Sequence, residues 1–217
     1  MDRNARRNPG LPPNRLETLA DGVFAIAMTL LAFELRVPDP LAAGDVAAEL
    51  AALGPRFATF FLSFIVLGVY WFAHHQTFHF IARVNRTLVW MNIVFFMGVA
   101  LIPFAASLLG RFPTDPVAIS VYGLVLGLLA ALGYVIWWYL TGDRGLVHED
   151  LDPALVRKVR LWLAAGPLIT PVAIGLAFVN PFYALLIYLA LPVLFILVNP
   201  VDRYLEQLRQ REQPSGP

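Results

Sequence analysis

Cysteine is absent from the 217 residues. Disulfides and thiolate metal sites are therefore excluded, while nothing follows about compartment. Charge is scarce as well: 14% of residues are charged, against about a quarter in a soluble domain. Lysine occurs once, at Lys158, against fifteen arginines, which points to a GC-rich, bacterial genome. Four histidines are too few for the clusters of a di-iron membrane enzyme. No nucleophile–base pair and no full set of metal ligands is visible, so the sequence does not read as an enzyme and no metal or cofactor is expected. The net charge of +1 gives no reason to expect a nucleic-acid partner. No internal repeat is found.

What is abundant is apolar. Hydrophobic residues make up 59% and the mean hydropathy is +0.67, so the membrane takes the place of a soluble core. A spanning helix needs about 20 largely apolar residues. Six such spans are drawn, at about 16–37, 55–75, 88–109, 117–140, 159–179 and 181–201, giving an all-α membrane protein. Residues 1–14 form a polar, Pro-rich N-terminal segment, 15–203 the six-helix domain and 204–217 a charged tail. The run after residue 14 is too long for a signal-peptide h-region, so no cleavable signal is expected. The first gap, Pro38–Gly54, reads as a short surface helix, and Thr141–Arg157 as a polar loop. Asn180-Pro181 makes spans five and six a tight hairpin. Thirteen basic residues then fall on the side of both termini and three, Arg36, Arg56 and Arg111, on the other. This asymmetry places both termini in the cytoplasm of a cell-membrane protein.

Span one carries the unusual pattern. At about 100° per residue, Gly22, Ile26, Thr29, Leu30 and Phe33 form one stripe, while Asp21 points to nearly the opposite side. Two readings fit the stripe: ordinary helix packing, or a pore lining in which bulky side chains close a narrow channel by dewetting. Asp21 is either a conducting or proton-relay carboxylate, or a structural acid held by donors on another span. A carboxylate at membrane depth needs partners, and its direction away from the stripe favours the structural role. Trp71 and His74, at the end of span two, are the candidate donors. His75 and His79 share a helix face, but no carboxylate triad accompanies them as a metal site would need. In span four, Gly123-x-x-x-Gly127 permits close helix approach.

These residues carry a resemblance. Arg15-x-x-x-Leu19-Ala20-Asp21, followed by Gly22-Val23-Phe24-Ala25-Ile26-Ala27-Met28-Thr29, resembles the opening motif of the transmembrane protein 175 family of potassium channels. Phe and Ser of that motif are replaced by Leu19 and Ala20, which removes one hydroxyl from its hydrogen-bond network. Trp71-x-x-His74-His75 and the six-span layout are also similar to the family. The resemblance implies a homotetramer whose first helices line a central pore for monovalent cations, with permeant potassium as the only ligand. It implies a constriction at Ile26, Leu30 and Phe33, a hydroxyl layer at Thr29 bearing on potassium preference, and a structural network of Arg15, Asp21, Trp71 and His74. No Thr-Val-Gly-Tyr-Gly loop is present, so selectivity without a carbonyl cage should be modest. The alternatives are a proton leak and, further off, a secondary transporter. Transporters show broken helices and paired repeats, for which only Pro103, Pro167, Pro171 and Pro192 are suggestive.

Overall fold

The structure is a computed structural model that describes residues 13–36, 46–142, 145–149, 151–202 and 204. The N-terminal segment to residue 12, residues 37–45 at the first gap and the tail from residue 205 lie outside the described residues. Within them the chain is helical: α1 (Pro13–Leu31), continued by a 3-10 turn at Ala32–Glu34, then α2 (Val46–Ala52), α3 (Gly54–His79), α4 (Arg86–Arg111), α5 (Pro116–Leu140), α6 (Pro153–Ala177) and α7 (Pro181–Leu197). Six of these are long and apolar enough to cross a bilayer; α2 is the short exception.

Helix starts follow local chemistry. Asn85, Asp115, Asp152 and Asn180 each accept a hydrogen bond from a backbone N–H of the first turn, at 2.7–3.0 Å for the shortest bond of each. Such caps satisfy donors that have no carbonyl partner inside the helix. Pro116, Pro153 and Pro181 follow three of them, where a missing N–H costs nothing. The Asp152 cap starts α6 six residues before the expected span, so Arg157 and Lys158, as well as Arg160, lie on helix. Their charge hides the helix from a hydropathy reading. Helices α4, α6 and α7 run on through their internal prolines without a break.

Helix α1 packs on α3 and α4, and α5 joins that layer to α6 and α7. The core between them holds Phe24, Leu67, Val99, Ile102, Ile119 and Leu129. Small residues set the spacing of α5 against its neighbours. A Cβ at Gly123 would overlap the Tyr188 hydroxyl of α7, and one at Gly127 would lie 3.0 Å from Thr170 Cγ2 of α6. The Gly123-x-x-x-Gly127 spacing is thus a packing device that serves two helices. A backbone bridge between Ile81 and Val147, with Ala82 N–H donating to the Leu146 carbonyl at 2.8 Å, joins the α3–α4 and α5–α6 connections.

Gly123→Val should lower the melting temperature in detergent, by the equivalent of about 1–3 kcal/mol for overpacking. Gly133→Ala, in the same helix, should leave it unchanged or raised, because a Cβ there meets nothing within 4 Å. Thermal unfolding followed by size exclusion distinguishes the two.

Candidate functional site on helix α1

Two faces of α1 meet different surroundings. Leu16, Ala20, Phe24, Ala27 and Leu31 recur at helical spacing and are buried against α3 and α4. The stripe on the other side is left exposed among the described residues, with the Arg36 guanidinium 5.7 Å from the Phe33 ring centroid. Ile26 is 62% exposed, Phe33 59% and Leu30 42%, and Gly22 and Thr29 are exposed too. A groove beside them is walled by α1 alone, through Asn14, Arg15, Thr18, Leu19, Gly22 and Ile26. Ordinary packing within the subunit therefore does not account for the stripe.

Polar contacts fasten α1 at both ends. At one end Trp71 Nε1–H donates to Asp21 Oδ1 at 2.8 Å, and His75 Nδ1 lies 3.0 Å from Glu17 Oε1. The Trp71 and His75 rings stack with centroids 5.8 Å apart. Glu17 and Asp21 are four apart on α1, and Trp71 and His75 four apart on α3. Antiparallel helices bring such pairs into register as two rungs. At the other end Ser107 Oγ donates to Glu34 Oε2 at 2.6 Å, and Arg111 Nη2 lies 3.6 Å from the same oxygen. The side chains of Arg111 and His75 are more than half exposed, so these ion pairs orient the helix more than they stabilise it.

Arg15 and His74 depart from the expected network. Arg15 makes no hydrogen bond or ion pair with another described residue. It lies on the open groove, about 120° around the helix and about 9 Å along it from Asp21. His74 faces inward from α3 and is buried. Its Nε2 is 2.9 Å from Asn92 Oδ1 on α4. The Asn92 amide nitrogen donates to the Leu88 carbonyl at 2.8 Å, which leaves Oδ1 as acceptor and makes His74 Nε2–H the donor. Phe78 and Phe95 stack on the imidazole at 4.5 and 5.8 Å, and Phe24 of α1 stands 6.2 Å away. His74 thus bears on α1 through Phe24, by packing rather than by a bond to Asp21. His75 turns to Glu17 while His79 rests on Phe80, so the two do not converge as metal ligands.

Residues 15–103 match the family model described as endosomal/lysosomal potassium channel TMEM175. A protein of Streptomyces collinus named a potassium channel is 37% identical over 170 residues, covering 76% of this chain and 82% of that relative. The chain belongs to the TMEM175 family. A crystal structure described as a lysosomal potassium-selective channel TMEM175 homolog from Chamaesiphon minutus has the same fold. Its TM-score is 0.74 at 29% identity, over 85% of this chain and 96% of that one. A mouse relative named an endosomal/lysosomal proton channel is 32% identical over 159 residues; the match spans 67% of this chain and 31% of the mouse protein.

The stretch matched to TMEM175 contains α1 from Arg15 onward, both rungs between α1 and α3, and Asn92. Sequence reasoning missed three of these contacts. The Glu17–His75 rung was legible from the paired four-residue spacings. Asn92, a lone amide in an apolar span, signals a buried hydrogen bond. The Glu34 contact with Ser107 and Arg111 has no local signal, because 73 residues separate Ser107 from Glu34.

A double-mutant cycle of Asp21→Ala with Trp71→Phe should return a coupling of about 0.5–1.5 kcal/mol, the net value of one hydrogen bond. The cycle of Glu17→Gln with His75→Gln should return less, and its coupling should fade as salt is raised. Thermal stability of the detergent-solubilised protein reads both.

Proposed function

We propose that this protein is a potassium-permeable cation channel in which α1 of each of four identical subunits lines a central pore. The carrying observation is the unpartnered stripe of Ile26, Leu30 and Phe33 on a helix otherwise packed against α3 and α4. A single helix cannot enclose a pore, so copies of the chain must supply the remaining wall. The names of the Streptomyces and Chamaesiphon relatives support potassium as the permeant ion. No cofactor is required; the permeant ion is the only ligand, and the bilayer the only other partner. Both termini face the cytoplasm of the cell membrane, in line with the thirteen-to-three distribution of basic residues.

The stripe suggests how conduction is controlled. Ile26, Leu30 and Phe33 project nothing that can replace an ion's hydration shell, so a ring of them is a barrier that opens by widening and wetting. Thr29 supplies the hydroxyl between these layers. Its Oγ1 donates to the Ile26 carbonyl at 2.8 Å. With its proton committed to the helix, the oxygen presents lone pairs outward, towards a passing cation. One hydroxyl per subunit gives a preference, not the strict discrimination of a carbonyl cage.

Ile26→Ala and Ile26→Asn should raise single-channel conductance or leak in planar bilayers; unchanged unitary current in an assembled variant removes Ile26 from the constriction. Thr29→Ala should move the reversal potential in mixed potassium and sodium towards that of a non-selective pore. A second reading, proton flux, draws on the mammalian relatives named proton channels. Currents that follow a pH gradient in the absence of potassium would favour it, while saturable, coupled flux without unitary steps would indicate a transporter.

A further inference from the structure

A cavity of about 100 Å³ lies on the other side of α3 from α1, enclosed by α3, α4, α5, α6 and α7. We propose that it binds the end of an acyl chain from a bilayer lipid. The site is independent of the conduction reading, because it is built within one subunit and away from the α1 stripe.

The chemistry of the walls selects the occupant. The polar side chains that reach the cavity already have partners. Tyr70 O–H donates to the Leu126 carbonyl at 2.8 Å, Thr77 to the Ala73 carbonyl at 2.8 Å and Thr170 to the Gly166 carbonyl at 2.7 Å. Tyr188 O–H donates to the Ile119 carbonyl, and the His74 imidazole is bonded to Asn92. A trapped water needs about two to four polar partners and finds few here. An apolar cavity of about 150 Å³ takes benzene or xenon, so a space of this size accepts a few methylenes. Left empty, its lining forfeits dispersion contacts on one side.

Gly133 shows that the space is built in. Gly166 of α6, also on the cavity wall, permits close approach: a Cβ there would stand 2.6 Å from Ala130 Cβ. A Cβ at Gly133 meets nothing within 4 Å, yet this glycine lines the cavity. It therefore widens the space without bringing helices together. Leu163 of α6 and Phe195 of α7 are half-buried wall residues. The remaining faces of those helices expose Leu161, Leu168, Val193 and Leu197, which suit contact with lipid tails. The donor of an apolar chain at this depth is the bilayer itself. The cavity also touches the turn of α3 that carries His74, next to the residues that fasten α1. An occupied cavity supports α3 from behind.

The test uses the full chain reconstituted with a phosphatidylglycerol that carries a diazirine at the end of one acyl chain, photolysed and mapped by peptide mass spectrometry. Labels are expected on α3 and α5 at cavity residues such as Tyr70, Thr77 and Ile136, as well as on outward Leu168 and Leu186. In Gly133→Leu, which fills the space, the cavity labels should be lost while the outward labels remain. Gly133→Val serves the same purpose with a smaller volume should the leucine variant fail to assemble. Labels confined to outward residues in the unaltered protein overturn the proposal. So do cavity labels that persist in a Gly133 variant with a normal elution profile.

Discussion

The structure depends on one constraint, the rotation of α1 about its own axis. Leu16, Ala20, Phe24, Ala27 and Leu31 are the row buried on α3 and α4. Fixing that face leaves Ile26, Thr29, Leu30 and Phe33 exposed on the other side among the described residues. The open stripe is a consequence of how the buried face packs. Ala20 and Ala27 bring the helix close to its neighbours, while Phe24 gives the row its one large anchor beside His74 and Phe95.

Polar contacts are placed where they set geometry. Thr59, Thr77 and Thr170 donate to carbonyls of their own helices, whereas Tyr70 and Tyr188 donate across to the Leu126 and Ile119 carbonyls of α5 and so add directional bonds to the apolar contact between helices. At the two ends of α1 the arrangement differs. Asp21 and Glu17 meet Trp71 and His75 of α3, and Glu34 meets Ser107 and Arg111 of α4. A helix held by apolar packing alone can slide or turn at little cost. Directional bonds at each end fix its depth and rotation, and with them the level and direction of each stripe residue.

The outer helices have another task. Helix α5 spaces α6 and α7 through Gly123 and Gly127, and the Asp–Pro and Asn–Pro starts of α5, α6 and α7 fix where each helix begins. Gln76 then links α3 to the segment after α7, accepting from Asn199 at 2.9 Å and donating to Asp202 at 2.6 Å. The helices around α3 are thus tied to one another while the cavity behind it stays open.

The sequence by itself determined the six spans, the split of α1 into two faces and the residues on the stripe, because all three are written in hydropathy and in the 3.6-residue period. It also placed Asp21 near Trp71 in depth. The start of α6 was legible only as a cap, Asp152-Pro153, beneath charges that masked the helix. The tertiary structure decided which donor meets which acceptor. His74 and Trp71 are three apart, about 60° around α3, and that angle sends one to Asn92 of α4 and the other to Asp21 of α1. Arg15 stands on the open groove because six residues of helix carry it away from Asp21. Glu34 finds Ser107 only once α1 and α4 lie side by side. Periodicity along one helix specifies which residues share a face, but the neighbour each face meets is set by the packing angles and depths of several helices at once, which no local spacing encodes.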